Sequence, residues 1–402
     1  MSVEALAPFG HARASLAGRT VLQVIPRLDA GGAERTTIDV ADALVRAGAR
    51  ALVASEGGRL ASELQAIGGL LLPFPAATKN PLAMLFNARK LARLLIAERV
   101  DIVHARSRAP AWVSLGACRI AERPLITTYH GAYSGVSALK LRYNSVMARG
   151  DLVIANSQFT ADRIARLYPQ ARDRLRVIPR GTDLRAFSPA SVERARVARL
   201  RDAWGVAPHE RVVLVAARLT AWKGQKVLVE AARLMRAGGL EDVRFVLAGD
   251  AQGRDAYVKE LDALIQKSGL GGIVSRVGHC ADMPAALMIA SVLAVPSTEP
   301  EAFGRVAVEA QAMGAMVVVS DSGAVPETVL APPRTSADER TGWRIPPADP
   351  QALAEALTAA LALGATARES IARRARAHVE KCFSLEQMTR ETLAAYLSVL
   401  TG

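Results

Sequence analysis

The chain has 402 residues, half of them hydrophobic and 22% charged, which fits folded globular domains and excludes a low-complexity or fibrous chain. That length exceeds what one ordinary core organises, so two or three domains are expected. Basic residues outnumber acidic ones unevenly: residues 1–180 hold 25 Lys and Arg against 13 Asp and Glu, and the remainder 26 against 25. The two halves therefore have different electrostatic roles.

In chain order, residues 1–18 carry Glu4 early and no continuous apolar stretch, which makes a poor signal peptide and predicts a disordered extension. The first strand is Val21–Ile25, stopped by Pro26, and a glycine loop at 29–32 leads into a helix near Ala33. Further short β runs follow at Ala51–Ala54, Ile102–His104, Leu125–Thr128, Leu152–Ala155 and Leu175–Ile178, separated by helical stretches that include Met84–Glu98 and Phe159–Leu167. Strands alternating with helices predict βαβ units and a parallel sheet. From Phe187 to Ala207 the chain is polar and Arg-rich, which reads as a join. A second alternating series then runs through Val212–Val215, Phe245–Ala248, Ile273–Val277, Val292–Val295 and Met316–Val319, and the tail from Gln351 is helical. The predicted fold is α/β, with two doubly wound Rossmann-like domains facing across a cleft: 19–190, 191–375, and a last helical segment 376–402 packing back toward the first domain.

The three cysteines, Cys118, Cys280 and Cys382, lie far apart with no CxxC. This excludes a disulfide framework by spacing and fits a reducing cytoplasm. No apolar run approaches the ~20 residues of a membrane span.

In doubly wound folds ligands bind at the carboxyl ends of strands, and four segments fall there. Glu301-Ala302-Phe303-Gly304-Arg305 through Glu309 follows the strand ending at Val295; it sets one carboxylate on the pre-helix loop and another about two turns into the helix. A glycine at a helix N-terminus lets backbone N–H groups approach a diphosphate. Arg218 and Lys223 follow strand Val212–Val215 and bring two cations to a sheet edge, where they can neutralise a leaving diphosphate. Gly249-Asp250 ends another strand, and His130-Gly131 ends a strand of the first domain. Each segment alone is also met as an ordinary strand–loop–helix.

Taken in order, these segments resemble the family 4 glycosyltransferases, retaining enzymes of the GT-B architecture similar to those of lipopolysaccharide core and cell-surface glycan synthesis. The matching residues are Gly31-Gly32-Ala33-Glu34, Thr128 to Gly131, Ala155-Asn156-Ser157, Ile178 to Asp183, Arg218 with Lys223, Gly249-Asp250, and Glu301 to Glu309 as the family's E-x7-E. The resemblance implies an acceptor-binding first domain and a nucleotide-sugar-binding second domain. It implies that Arg218 and Lys223 clamp the diphosphate in place of a metal, with no cofactor required. Gly32 then packs near the donor phosphates, His130 contacts the donor sugar, Glu301 holds sugar hydroxyls and Glu309 the ribose. Phe303 and Gly304 line the phosphates, and backbone near Val277 and Gly278 holds the base. Arg180 stands where many members carry Asn and receives no role. Glu299 competes with Glu301 for the first acidic position, and the eight-residue offset favours Glu301.

A UDP-sugar is the favoured donor and GDP-mannose the second choice. The acceptor is a saccharide or lipid-linked acceptor. No nucleic-acid module is present, and the first βα turn lacks the G-x-G-x-x-G of a dinucleotide-dependent dehydrogenase. The alternatives are a GT-B phosphorylase or epimerase, or an inactive basic membrane scaffold. The segment Met84–Glu98 mixes Leu85, Phe86, Leu91, Leu94, Leu95 and Ile96 with Arg89, Lys90 and Arg93, and Leu139 to Tyr143 repeats the mixture. Both predict either peripheral docking on an anionic inner leaflet or ordinary core packing.

Overall fold

The structure, a computed structural model, describes residues 16–29, 31–131 and 137–401. It divides into two compact units, residues 1–181 with 385–402, and residues 182–384. Of the expected disordered extension, residues 1–15 lie outside the described residues. Leu16 does not fit that expectation: it is fully buried in the first unit's core, and the Gly18 N–H donates to Gly48 O at 3.0 Å.

The first unit is built on a seven-stranded sheet in the order β3-β2-β1-β4-β5-β6-β7. Its strands are β1 Thr20–Val24, β2 Arg50–Ser55, β3 Leu70–Pro73, β4 Ile102–Ala105, β5 Leu125–Tyr129, β6 Leu152–Ala155 and β7 Leu175–Val177. The second unit has a six-stranded sheet in the order β10-β9-β8-β11-β12-β13. Its strands are β8 Arg211–Ala216, β9 Val243–Ala248, β10 Val274–Gly278, β11 Ala290–Val295, β12 Met316–Ser320 and β13 Trp343–Ile345. Every pairing is parallel. Helices cover both faces, so the central strands read as unbroken apolar runs; β1 and β12 are buried at every position. In both sheets the order reverses beside the first strand, which is where doubly wound sheets open for ligands.

β3 and β13 were not anticipated. Both are short edge strands, and no residue of β3 is fully buried, so its apolar signal is weak. The join expected at 187–207 contains the helix Arg194–Ala203. None of its side chains is buried, so it shows no apolar periodicity; Arg196 ties it down through a 2.7 Å ion pair with Asp282.

The unit boundaries fall at Gly181/Thr182 and Ser384/Leu385 rather than at 190 and 376. The tail is three helices, Pro350–Leu361, Ala365–Cys382 and Leu385–Thr401. Val379 and Phe383 pack with Phe303 of the second unit, and the Phe303 and Phe383 ring centroids lie 5.4 Å apart. Met388, Leu393 and Tyr396 are instead buried in the first unit's core.

Candidate functional site

At the carboxyl edge of the second sheet, the loop after β8 turns sharply at Gly224. Its φ of +72° suits glycine, and a Cβ there would overlap Pro296 O. This turn delivers Lys223 to the loop after β11. Lys223 Nζ lies 2.6 Å from Glu301 Oε1, and the Ser297 hydroxyl donates to the same oxygen at 2.6 Å. The backbone of Glu301 is fixed as well, because Ala324 N–H donates to its carbonyl at 2.8 Å and Gly323 leaves no room there for a side chain. Glu301 is 7% exposed whereas Glu299 is exposed, so burial agrees with the E-x7-E register.

Helix Arg305–Ala312 begins after Gly304, whose φ of +83° makes it a left-handed cap. Glu309 therefore sits just over one turn into the helix, not two. It is buried, and Arg305 Nε donates to its Oε1 at 2.7 Å. Phe303 is buried beneath this helix start. Val277 and Gly278 end β10, and Gly278 O accepts from Gly249 N–H at 2.7 Å, which places them on the strand's last turn beside Gly249-Asp250.

From the sequence, Arg218 and Lys223 are expected opposite Glu301 and Glu309. The structure brings Lys223 and Glu301 into contact but pairs Glu309 with Arg305, and the Arg218 side chain is exposed without an ion pair among the described residues. Arg218 contributes to the loop through its carbonyl, which accepts from Gln225 Nε2 at 3.0 Å. All four groups belong to the second unit and share one sheet edge.

The first unit has its own polar edge. His130 follows β5, Asn156 follows β6, and Arg180 follows β7. Arg180 Nη2 donates to His130 O at 3.1 Å and lies 3.1 Å from His130 Nδ1. A guanidinium only donates, so Nδ1 is the acceptor and the ring proton sits on Nε2. Burial, reinforced by Arg180 and Arg106, holds His130 well below the usual histidine range, so the ring is neutral. Its Nε2 is buried and finds no protein partner among the described residues. Among the same described residues neither polar atom of Asn156 finds one either. With Thr36 and Thr128 these residues line a cavity of about 20 Å³, room for one water molecule. Unpartnered buried donors are uncommon and call for a ligand or a water. Gly32 opens helix Gly32–Arg46, and a Cβ there would overlap the Arg180 guanidinium, so glycine is what allows Arg180 to reach His130.

Behind this edge, Arg106 is 3% exposed and donates to Gln23 Oε1. It also faces the Tyr396 phenol, which burial pushes up to about 12 and so keeps protonated. The phenol oxygen lies 2.7 Å from His104 Nδ1, and His104 Nε2 lies 2.7 Å from Thr128 Oγ1.

Arg180, Asn156, Ser297 and Arg305 were assigned no role from sequence. Arg305 could have been found from its i,i+4 spacing to Glu309. Asn156 and Arg180 depend on which strand ends lie side by side, whereas Ser297 reaches Glu301 from four residues earlier in the loop after β11. Among the described residues no group of three or more His, Cys, Asp or Glu side chains gathers in a metal-binding arrangement.

Residues 30–186 match the family described as Glycosyltransferase Family 4, and residues 197–378 match the family described as Glycosyl transferases group 1. A glycosyltransferase from Rickettsia africae is 32% identical, with a TM-score of 0.85 over 96% of this chain and 99% of that one. Anabaena HepE, solved with UDP and glucose, is 28% identical with a TM-score of 0.81 over 94% and 99%. A D-inositol 3-phosphate glycosyltransferase from Xylanimonas cellulosilytica is 37% identical over 224 residues, 54% of this chain. The chain spans about half the length of the curated relatives it matches, 50% of this one and 58% of a second from Jonesia denitrificans.

Proposed function

Because the chain belongs to the glycosyltransferases that join a family 4 segment to a group 1 segment, we propose that it moves a hexose from a nucleoside-diphosphate sugar, a UDP-sugar first among them, to a hydroxyl acceptor with retention and without a metal. The observation that carries this reading is the Lys223–Glu301–Ser297 cluster at the edge of the second sheet, where an ammonium and a buried carboxylate meet beside a glycine-capped helix start. Its donor preference is supported by HepE, which is solved with UDP and glucose.

The reading works as follows. The donor diphosphate lies toward the backbone N–H groups after Gly304, and Arg218 and Lys223 supply its counter-charge. The C1–O bond to the phosphate breaks while the acceptor oxygen forms its bond on the same face, and the acceptor proton passes to the leaving phosphate oxygen. Charge grows on that oxygen in the transition state, where a preorganised cation is most effective. Once the diphosphate draws Lys223 away, Glu301 is released to accept from sugar hydroxyls. Glu309, held by Arg305, accepts from the ribose. Polyol phosphates and other saccharide acceptors, the former suggested by the inositol-phosphate relatives, are the first to try; lipopolysaccharide core is the next.

The test is thermal shift with UDP, GDP and ADP, followed by assay of released nucleoside diphosphate with the corresponding sugars. UDP should stabilise the protein most. Arg218→Ala should lower turnover about 10²-fold, and Glu309→Ala should weaken UDP binding while Glu301→Ala leaves it largely in place. Near-normal turnover of Arg218→Ala, or equal loss of UDP binding in both glutamate variants, overturns these roles. Release of sugar phosphate instead of nucleoside diphosphate identifies a phosphorylase.

A further inference from the structure

Helix Pro81–Ala97 buries one side only. Ala88, Leu91, Ala92 and Leu95 face the first unit's core. On the other side Leu82, Leu85, Phe86 and Ile96 are 70, 54, 68 and 60% exposed. Four of the nine large hydrophobic side chains exposed among the described residues therefore sit on this one helix. Leu82, Phe86, Arg89, Arg93 and Ile96 recur at i, i+4, i+7, i+11 and i+14, which makes a single stripe, and Leu85 and Lys90 flank it. The helix contains no acidic residue. Arg89, Lys90 and Arg93 are exposed and make no ion pair among the described residues. The stripe's start is fixed, because Asn80 Oδ1 accepts from Leu82 N–H at 3.0 Å and from Ala83 N–H at 3.2 Å, with Pro81 in the first turn.

We propose that this stripe is a membrane-docking surface that lies in the interface of an anionic bilayer. Leu82, Leu85 and Phe86 enter the headgroup–acyl boundary, and Arg89, Lys90 and Arg93 reach up to lipid phosphates along their own alkyl stems. Two observations select a lipid plane as the occupant. A second copy would set these unpaired cations against their own counterparts, which is unfavourable. The excess of 25 Lys and Arg over 13 Asp and Glu across residues 1–180 also has the sign that an anionic surface attracts. The inference stands independently of which sugar is transferred.

The experiment uses the full chain at low salt with sedimented vesicles, phosphatidylcholine alone or mixed with phosphatidylglycerol. Binding should appear only with phosphatidylglycerol, and a Phe86→Trp reporter should shift to the blue as it enters the interface. Leu82→Ser with Phe86→Ser should lower partitioning at least about tenfold. Arg89→Gln, Lys90→Gln and Arg93→Gln together should lower it about a hundredfold. Met288→Ser, at an exposed position in the second unit, should leave it unchanged, and circular dichroism should report native folding throughout. Three results overturn the proposal: no binding to phosphatidylglycerol vesicles, binding untouched by the Leu82 and Phe86 substitutions, or a dimer in sedimentation that Leu82→Asp disperses.

Discussion

Glu301 shares one carboxylate oxygen between Lys223 and Ser297, and its side chain is 9% exposed. Removing only the lysine leaves a buried carboxylate without its counter-ion, so Lys223→Ala should lose stability, by up to about 3 kcal/mol, as well as activity. The Lys223→Ala/Glu301→Ala double variant should recover much of that stability in urea denaturation while remaining inactive. A double variant as unstable as the lysine variant would mean the pair is not what couples them. His130 makes a similar point through its proton. With Arg180 donating to Nδ1, nitrogen-resolved NMR should find the Nε2–H tautomer. Arg180→Ala should let the tautomers mix and lower turnover about tenfold, the loss of one positioned hydrogen bond. The second arrangement was not legible in the sequence. Arg180 comes 50 residues after His130, and only the adjacency of β5, β6 and β7 brings them together.

Among the elements, the central strands and most helices could be read because burial on both faces writes them as apolar runs between glycines and prolines. β3 and β13 escaped because edge strands bury little, and Arg194–Ala203 because it buries nothing. The motif-bearing loops were readable for another reason: their glycines answer to backbone geometry. Gly224 and Gly205 both have positive φ, but a Cβ meets Pro296 O at the first and open space at the second. Gly205→Ala should therefore cost only the left-handed strain, about 1–2 kcal/mol. Gly224→Ala should cost clearly more and displace Lys223, reducing turnover as well. Comparison of urea midpoints checks the first statement and the transfer assay the second. Equal midpoints would show that the turn yields without penalty.

For the whole molecule, two buried neutral imidazoles give a pH signature. Burial, with Arg106 in each case, holds both His104 and His130 well below the ordinary histidine value. The unfolded chain takes up protons near pH 6.5 that the folded chain refuses, so stability is complete above that pH. Below it, about 1.4 kcal/mol should be lost per pH unit for each imidazole until the folded rings themselves protonate. Denaturation midpoints at pH 7.5 and 5.5 measure this directly, and a flat profile would mean the rings are already charged when folded. The chain that holds them also has a temporal side. His104 and Thr128 belong to strands made early, with Arg106 just after the first of them, yet the phenol that completes their hydrogen bonding is Tyr396. A nascent chain carrying all seven strands of the first sheet still has a raw polar seam in its interior. The second unit, continuous from 182 to 384, has every partner it needs sooner. During synthesis the order of completion is thus inverted: the half begun first is the half finished last, when the ribosome has passed residue 396.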